Sequence, residues 1–439
     1  MQHRIGIRRE DKSEWEKRVP LTPAHVKKLI QEHDIQVYIQ PSDIRIFSDE
    51  EYKKAGAIVQ EDLSPTKTVI AVKELPEDYI KPGKTYVNFA HVIKGQSHNM
   101  HLLRKYMDTG SRLIDYEKIT EDSGRRLIFF GNFAGLAGMV DSLWAFGKKM
   151  DMEGIKTPLL DMKQAYHYDS LSDIESAVSR IGERIKKEGI PEALVPMVCG
   201  FAGYGNVSGG AQHILDLLPT IEISPSELPG LRKREKLSNK HVYKVVFKEE
   251  HMAEPLDKTK KFDLQDYYDN PGKYRGIFHR HVPYLTILIN AIYWSSRYPR
   301  LVTRDLMKRL YMEDKTKPPL KVIGDISVDV EGAIEFTTHV TQSGNPVYVF
   351  DPITENTTDG FQGDGIVVLA VDNLPCEIAR EASEYFGEKL LPYIPEIVKE
   401  DSTKSFEESN YSPEIKRAVI VYNGKLTPDY KYLECYLQA

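Results

Sequence analysis

Short apolar runs alternate with helical segments along the first third of this chain. The runs RIGIRRE, IQVYIQP, TVIAVKEL, TYVNFAH and SRLIDYEKI have the length and the β-branched or aromatic content of buried strands. Helices are predicted between them, and the first begins at Pro23, behind the capping residue Thr22. Alternation of this kind is typical of a parallel sheet with helices on both faces.

The same pattern restarts after a long helix, which is predicted to run from Asn132 to about Met150. The later strand candidates are LVPMVCGF, TIEIS, LTILINAIYW, KVIGDIS, PVYVF and GIVVLAV. Residues 230–275, which are polar and rich in Lys and Tyr, are interpreted as an insertion into this pattern. A last helix is predicted near Glu377–Lys399.

We therefore predict an α/β protein of two Rossmann-like parallel-sheet domains with a cleft between them. At 439 residues the chain is too long for a single hydrophobic core, which agrees with two domains. The substrate domain is predicted to comprise residues 1–131 and 375–439, so that the C-terminal helix returns to it. The nucleotide domain is predicted to comprise residues 132–374.

Composition and charge exclude several classes of protein. An apolar fraction of 41% and a charged fraction of 28% are those of a soluble globular protein, and the net charge of -6 argues against a nucleic-acid-binding surface. No run of 18 apolar residues is present, so no membrane span is predicted. Cys199, Cys376 and Cys435 are too far apart for a zinc site or a disulfide framework. Because the N-terminus shows no signal-peptide pattern, we expect a cytoplasmic enzyme. No metal site is predicted.

A glycine-rich turn marks the predicted nucleotide site. In FAGYGNVSGGAQ, Gly203, Gly205 and Gly210 lie between a predicted strand and a predicted helix. The first glycine permits a tight turn, the second lets backbone N–H groups approach a pyrophosphate, and the helix N-terminus adds positive potential. The usual fingerprint would place its third glycine at Ser208, yet the position after an apolar strand favours dinucleotide binding over an ordinary turn.

The residue at the end of the next strand along the chain, TIEIS, indicates which dinucleotide binds. NAD sites usually place a carboxylate at the end of this strand for the ribose 2′-hydroxyl, whereas NADP sites provide cations for a 2′-phosphate. Ser224 is predicted at that position, and cations follow at 232–234, so NADP is favoured over NAD. A shift in register would instead place Glu222 or Glu227 there.

A second set of polar residues follows the strands of the first domain. Lys73 and His91 each end an apolar run, and parallel strands bring their carboxyl ends to one crevice. Each residue alone is more often an ordinary surface residue than a catalytic one. Other polar residues come near the same strand ends, and together they favour an anionic substrate and tuned proton affinities. These residues are Arg18, Glu74, Lys94, Gln96, Glu117, Arg125 and Arg126.

Several motifs spread along the chain resemble those of one known family. They are KRVPLTP, AVKELPE, FAHVIKGQ, LIDYEKITEDSGRRLIFFGNFAGLAG, FAGYGNVSGGAQ, LINAIYW, GDISVDVEGAIEF and VDNLPCEIAREASEYFG. Over essentially its whole length, the sequence resembles the lysine–ketoglutarate reductase domain of the bifunctional aminoadipic semialdehyde synthases. More distantly, it resembles the lysine-forming saccharopine dehydrogenases and, behind them, alanine dehydrogenase and transhydrogenase.

The resemblance implies that lysine and 2-oxoglutarate condense to an imine, which hydride from NADPH reduces to saccharopine. The family's catalytic pair falls on Lys73 and His91, and its pKa-tuning carboxylates fall on Glu74 and Glu117. Its substrate-binding positions fall on Arg18, Gln96, Arg126, Phe130, Ser327 and Asp329. Its nucleotide contacts fall on Arg125, Gly205, Asn206, Ser224, Tyr293, Ile326, Asp372 and Leu374.

Two other functions stay open at this point. One is a different amino-acid or opine dehydrogenase on the same scaffold, and the other is a non-catalytic nucleotide-binding regulator, against which the intact Lys73 and His91 argue. The bifunctional proteins also carry a saccharopine-cleaving dehydrogenase domain, which this sequence lacks. Either a separate saccharopine dehydrogenase is the functional partner, or the sequence is one domain of a longer polypeptide.

Overall fold

The chain divides into two compact units, which are described separately. The computed structural model describes residues 2–233, 237–313 and 319–437. One unit, the split unit, comprises Met1–Phe130 and Ala379–Ala439, and the other, the contiguous unit, comprises Gly131–Ile378. Within the described residues, each unit contains one eight-stranded sheet that is mostly parallel. The predicted α/β class with two Rossmann-like sheets is confirmed.

The split unit begins with six strands and three helices. Its first strands are β1 (His3–Ile7), β2 (Ile35–Ile39), β3 (Ile58–Val59), β4 (Thr68–Ile70), β5 (Thr85–Asn88) and β6 (Arg112–Asp115). Its first helices are α1 (Pro23–His33), α2 (Asp49–Lys54) and α3 (Met100–Asp108). Helix α1 begins at Pro23 behind Thr22, as the sequence predicts.

The contiguous unit opens with the long helix α4 (Gly131–Met152). Its strands are β7 (Val198–Ala202), β8 (Thr220–Glu222), β9 (Val242–Phe247), β10 (Ala253–Pro255), β11 (Tyr274–Gly276), β12 (Ile287–Asn290), β13 (Val322–Asp325), β14 (Val347–Phe350), β15 (Thr357–Asp359) and β16 (Ile366–Leu369). Its other helices are α5 (Leu171–Glu188), α6 (Asn206–Leu215), α7 (Leu228–Leu231), α8 (Glu249–Met252), α9 (Leu264–Asp269) and α10 (Arg304–Glu313).

The chain then returns to the split unit, which confirms the predicted return of the C-terminal helix. The returning elements are α11 (Ala379–Leu390), α12 (Ile394–Lys399), α13 (Pro413–Ala418), β17 (Val419–Tyr422), β18 (Lys425–Leu426) and α14 (Glu434–Leu437). The single helix predicted near 377–399 is two helices, because Pro392 lies in a 3₁₀ turn, Leu391–Tyr393, that separates α11 from α12. Strand β17 pairs antiparallel with β6 and was not predicted.

The sheet of the split unit reverses its direction of growth at β1. Its strand order is β18-β17-β6-β5-β4-β1-β2-β3, and β1 to β6 all pair in parallel. The chain adds β2 and β3 on one side of β1 and then returns to place β4 on the other side. Ligands of open α/β sheets bind outside the carboxyl ends of the strands at such a switch point. The residues that follow β1 and β4 therefore form the expected site.

The sheet of the contiguous unit has its switch point between β7 and β12. Its order is β15-β14-β16-β13-β12-β7-β9-β8, in which β14 and β15 pair antiparallel and the other strands pair in parallel. Strand β9 lies between β7 and β8, although it follows β8 in the chain. The residues that follow β7, β9 and β12 therefore meet at this switch point.

The interpretation of residues 230–275 as an insertion is wrong for β9, which is a buried strand of the main sheet. Lys244 interrupts the apolar run VYKVVF and conceals the strand in the sequence. In the structure the Lys244 ammonium lies 3.0 Å from both Asp216 and Glu222, so its charge is paired. Later in the segment, β10 and β11 form a small two-stranded sheet beside α9.

Glycines let α4 and α6 pack against each other. A Cβ at Gly135 would lie 1.9 Å from the carbonyl oxygen of Val207, and one at Gly210 would lie 2.1 Å from that of Asn132. Both distances are far below van der Waals contact, so only glycine permits this approach. The close packing fixes α6, whose N-terminus follows the glycine-rich turn.

Candidate functional site

Buried Glu10 holds the chain segment that carries Lys73. Glu10 follows β1, and its carboxylate accepts the backbone N–H groups of Val72 at 2.6 Å and Lys73 at 3.0 Å, just beyond β4. Burial, together with the nearby Glu16 carboxylate, raises the pKa of Glu10 to about 7, although these two donors act in the opposite direction. The two strands of the switch point are thus joined directly at their carboxyl ends.

Glu74 connects the Lys73 segment to His91. Its Oε2 lies 3.2 Å from Nδ1 of His91, and its Oε1 pairs with Lys12. Burial would raise the pKa of Glu74, but the hydrogen bonds from His91 and Lys12 outweigh it and bring the pKa down to about 2. Glu74 is therefore an anion across the physiological range. The imidazole of His91 is thus placed beside Glu74, the residue that follows Lys73.

His91 has an unusual backbone conformation that the neighbouring residues support. Its φ of 51° lies in the left-handed region, which few residues other than glycine adopt. The side-chain amide of Asn99 donates to the His91 carbonyl at 3.2 Å. Asp115, at the end of β6, accepts the N–H groups of Ala90 at 3.2 Å and Glu117 at 2.9 Å. Burial, followed by the Glu117 charge, raises the pKa of Asp115 to about 7.

An aromatic cluster positions the Arg18 side chain. The guanidinium of Arg18 lies 4.1 Å from the ring centroid of Phe130, and it binds the buried carboxylate of Glu16 at 2.6 and 2.8 Å. Phe130 in turn stacks on Phe386 of α11, with centroids 4.5 Å apart and an interplanar angle of 8°. Phe89 contacts both of these rings and stacks at 6.2 Å on His91. Predicted substrate residues Arg18 and Phe130 thus share one wall with His91.

The remaining predicted residues of the split unit differ in their placement. Arg126 lies 3.4 Å from Glu117, so the structure brings this pair together. Arg125 binds Glu121 at 2.5 Å and is exposed. Gln96 accepts the backbone N–H of Lys94 at 3.1 Å within its own turn.

The glycine-rich turn fits a dinucleotide pyrophosphate. Gly203 has a φ of 98°, and a Cβ there would lie 2.9 Å from the carbonyl oxygen of Ala291. Gly205 precedes α6, and no atom lies within 4 Å of the Cβ that it lacks. Open space therefore stands in front of the first N–H groups of α6, which begins at Asn206. Backbone donors and this space are what a pyrophosphate needs.

A pocket of about 460 Å³ adjoins this turn within the contiguous unit. Its walls come from the carboxyl ends of β7, β9 and β12 and from the segment around α9. The lining residues include Gly203, Gly205, Glu249, Tyr293 and Tyr298. Tyr293, a predicted nucleotide contact, is 77% exposed. Tyrosine rings and open glycine backbone suit the planar base and ribose of an adenosine group.

Ser224 does not stand on the strand next to the glycine-rich strand. The prediction assumed that the next strand along the chain, β8, is also the spatial neighbour of β7, but β9 lies between them. The Ser224 hydroxyl donates to Glu227 at 2.9 Å and caps a 3₁₀ turn. Glu222 pairs with Lys244. Of the predicted cations at 232–234, the first two are exposed and the third lies outside the described residues.

The other predicted positions of the contiguous unit follow β13 and β16. Ile326 and Leu374 are buried, and both approach Gly138 of α4. The N–H of Ser327 donates to the Asn290 carbonyl at 3.3 Å, which connects it to the end of β12. Asp329 and Asp372 are exposed.

Three buried carboxyl groups of the site were not predicted from the sequence. Glu10, Glu16 and Asp115 hold Lys73, Arg18 and the Ala90 backbone, respectively. Solvent exposure is the ordinary expectation for a charged residue at such positions. The available signal for Glu10 and Asp115 was their location at the carboxyl ends of β1 and β6, and Glu16, in the segment between β1 and α1, had no such signal.

Comparisons with known proteins agree with this architecture. Residues 6–137 match the model of "Alanine dehydrogenase/PNT, N-terminal domain", and residues 273–429 match that of "Alanine dehydrogenase/PNT, C-terminal domain". L-alanine dehydrogenase has a similar structure, with a TM-score of 0.61, 19% identity and 99% of each chain covered. A transhydrogenase from Sinorhizobium meliloti has a TM-score of 0.56 at 16% identity, with 97% of this chain and all of that chain covered.

Curated proteins with similar sequences are named for saccharopine and aminoadipic semialdehyde. Alpha-aminoadipic semialdehyde synthase from Arabidopsis thaliana is 36% identical over 98% of this chain and 41% of its own length. The mitochondrial enzyme of that name from Mus musculus is 37% identical, over 98% of this chain and 47% of its own length. A lysine-forming saccharopine dehydrogenase from Emericella nidulans is 28% identical, over 93% of this chain and 95% of its own. The chain thus spans less than half the length of the two semialdehyde synthases.

None of the helices in the described part of the chain combines the length and the apolar character needed to cross a membrane bilayer.

Proposed function

Because the chain belongs to the alanine dehydrogenase/PNT family, we propose that it is a lysine–2-oxoglutarate reductase that forms saccharopine with NADPH. The observation that carries this proposal is the ionic cluster at the β1–β4 switch point. There, Glu74 binds His91 beside Lys73, and Arg18 and Phe130 lie on the same wall. The names of the similar curated proteins support the choice of saccharopine chemistry.

The cations of the cluster are assigned to the substrate carboxylates. Lysine and 2-oxoglutarate together carry three carboxylates, and the planar guanidinium of arginine binds such groups with two parallel hydrogen bonds. Arg18 is held rigidly by Glu16 and Phe130, and Arg126 lies beside Glu117. We assign Arg18, Arg126 and Gln96 to substrate binding, with Phe130 as the apolar wall. Ser327 and Asp329 stay predicted substrate contacts.

Lys73 and His91 are assigned to proton transfer. The ε-amine of lysine adds to the keto carbon of 2-oxoglutarate, and the carbinolamine then loses water to give an imine. Addition needs a base to remove a proton from the amine, and loss of water needs an acid to protonate the leaving hydroxyl. Glu74 orients the His91 ring through the hydrogen bond to Nδ1, and Glu117, which pairs with Arg126, lies near the other strand end.

The dinucleotide is assigned to the glycine-rich turn. When bound, NADPH supplies hydride to the imine carbon, and a proton on nitrogen completes the secondary amine of saccharopine. Gly203, Gly205 and Asn206 would hold the pyrophosphate, and Tyr293 would contact the adenosine half. Arg125, Ile326, Asp372 and Leu374 stay predicted nucleotide contacts. The product, saccharopine, would then be the substrate of a separate saccharopine-cleaving dehydrogenase. A cytoplasmic location of this protein stays a prediction.

One assay tests the proposal directly. The purified chain is mixed with lysine, 2-oxoglutarate and NADPH, and the nicotinamide absorbance is followed while saccharopine is identified by mass spectrometry. We expect NADPH oxidation that requires both substrates. Oxidation with another amine, or with pyruvate in place of 2-oxoglutarate, would assign the chain to a different dehydrogenase. Nucleotide binding without turnover of any amine would indicate a regulator.

A further inference from the structure

The strand order of the contiguous unit shows which residue stands beside the nucleotide ribose. In dinucleotide-binding sheets, the end of the strand adjacent to the glycine-rich strand faces the ribose of the adenosine group. Here that strand is β9, because Ala202 and Phe247 are register partners and the Gly203 N–H donates to the Phe247 carbonyl at 3.0 Å. The residue that follows Phe247, and thus stands next to Gly203, is Lys248.

Ser224 lies one strand farther from the glycine-rich turn. Neighbouring strands are about 4.8 Å apart, so the end of β8 lies roughly 10 Å from β7. The pocket beside the turn is lined by residues that follow β7, β9 and β12, among them Gly203, Glu249 and Ile292. Neither Ser224 nor Lys248 is among these lining residues, but Lys248 directly precedes Glu249, which is one of them, whereas Ser224 follows the outer strand β8 and its hydroxyl interacts with Glu227.

The side chains at the end of β9 form a charged edge of the tyrosine-lined pocket. The Lys248 ammonium lies 5.8 Å from the ring centroid of Tyr204, which lines the pocket, and Lys248 is exposed. Glu249 also lines the pocket, and its carboxylate accepts the Tyr268 hydroxyl at 2.7 Å. The Glu249 carboxylate is thus engaged by Tyr268 and, as an anion, does not attract a phosphate. The ammonium of Lys248, a compact cation on a flexible side chain, is well suited to bind one.

We propose that Lys248, rather than Ser224, selects the dinucleotide by binding the 2′-phosphate of NADP. The ligand class is an adenosine that carries a phosphate on its 2′-oxygen. The proposal deepens the assigned use of NADPH and depends on the proposed function only for the presence of a dinucleotide. Lys248 is a binding residue in this view, and it takes no part in the chemistry at the imine.

Small nucleotide fragments test the proposal without turnover. Adenosine 2′,5′-bisphosphate and 5′-AMP differ only in the 2′-phosphate, and their dissociation constants are measured by calorimetry. We expect Lys248→Met to weaken the bisphosphate about 10- to 100-fold and to change AMP binding by less than about twofold, since one charge-assisted contact is lost. Lys258→Met, at another exposed lysine of the same unit, should change neither constant. An unchanged thermal midpoint confirms that each variant is folded.

A second variant tests the competing position. Ser224→Asp should leave the preference for the bisphosphate intact, because β8 lies one strand farther than β9 from the glycine-rich strand β7. If Ser224→Asp weakens the bisphosphate and Lys248→Met does not, the proposal is overturned. The proposal is also overturned if the wild type binds AMP as tightly as the bisphosphate and the Glu249→Gln variant no longer binds AMP. Glu249 would then bind the ribose 2′-hydroxyl. If Lys248 proves to select the bisphosphate but the protein does not turn over lysine, the proposed function is refuted and the proposal for Lys248 stands.

Discussion

The two candidate ligand regions of this chain each lie at the switch point of a parallel sheet, but they are lined by different types of residue. In the split unit, the switch point is filled with paired charges such as Glu74 with Lys12 and Arg18 with Glu16. In the contiguous unit, it is formed by glycine backbone and by tyrosine rings. In the proposed function, the first composition serves proton transfer and carboxylate binding, whereas the second would accommodate a large planar ligand by shape.

The contrast extends to how each region gains its precision. In the split unit, carboxylates of the same chemical type have very different pKa values, about 2 for Glu74 and about 7 for Glu10 and Asp115. Hydrogen bonds from His91 and Lys12 lower the pKa of Glu74, and burial raises the pKa of Glu10 and Asp115. In the contiguous unit, precision comes from the absence of side-chain atoms at Gly203 and Gly205. Substitutions in the two regions should therefore fail in different ways.

The largest expected effect is on turnover in the split unit. The double variant Lys73→Met/His91→Gln should lose about 10²- to 10⁴-fold in kcat, because proton transfer at the carbinolamine loses both groups. Its affinity for NADPH, measured by fluorescence titration, should stay within about twofold of the wild type. Lys67→Met, at the opposite end of β4, is the matched control and should retain full turnover. Unchanged turnover in the double variant would remove both residues from the mechanism.

The next effect is on stability in the contiguous unit. Gly210→Ala should lower the free energy of unfolding by about 3 kcal/mol, because its Cβ would lie 2.1 Å from the Asn132 carbonyl between α6 and α4. Gly209→Ala is the matched control one residue earlier, where no atom lies within 4 Å of the added Cβ. It should be neutral or stabilising by up to about 1 kcal/mol. Equal urea midpoints for the two variants would contradict the helix packing described above.

A pH-dependent effect is expected at the buried Glu10 of the split unit. Glu10 has a folded-state pKa of about 7, above the ordinary value of 4.5, so the unfolded chain releases this proton first as pH rises. The free energy of unfolding should therefore fall between pH 4.5 and 7, by about 2 kcal/mol for this residue. Urea unfolding of Glu10→Gln at pH 5 and pH 7.5 should show a smaller difference than the wild type. The control Glu14→Gln, at an exposed neighbour, should show the same difference between the two pH values as the wild type. If Glu10→Gln also shows the wild-type difference, the raised pKa assigned to Glu10 is refuted.

The smallest effect is on nucleotide affinity alone. Gly205→Ala adds a Cβ into the open space before α6, where the pyrophosphate is assigned, so the dissociation constant for NADPH should rise about tenfold. The thermal midpoint should not change, because no protein atom lies within 4 Å of that Cβ. Gly209→Ala again serves as the control and should bind NADPH normally. Loss of stability without loss of affinity would place the ligand elsewhere.

Sequence patterns predicted the positions of strand ends better than the pairing of strands. Lys73, His91 and Gly203 were located from short apolar runs, because a run of β-branched residues ends visibly where the polar residues begin. Glu10 and Asp115 were missed, since burial of a carboxylate depends on distant partners that no local pattern contains. The order of β8 and β9 was also missed, since the register of TIEIS says nothing about which strand lies beside β7.

The aromatic wall of the split unit also has a consequence for synthesis of the chain. Phe386 stacks on Phe130, the Ser383 hydroxyl accepts the Val19 N–H at 3.0 Å, and β17 completes the edge beside β6. On the ribosome, the contiguous unit is synthesised in full before any of these three partners exists. The N-terminal segment of the split unit therefore leaves exposed the face that α11 later covers, until residues Ala379–Ala439 have been made. This segment, although synthesised first, reaches its final packing only after the contiguous unit has been synthesised.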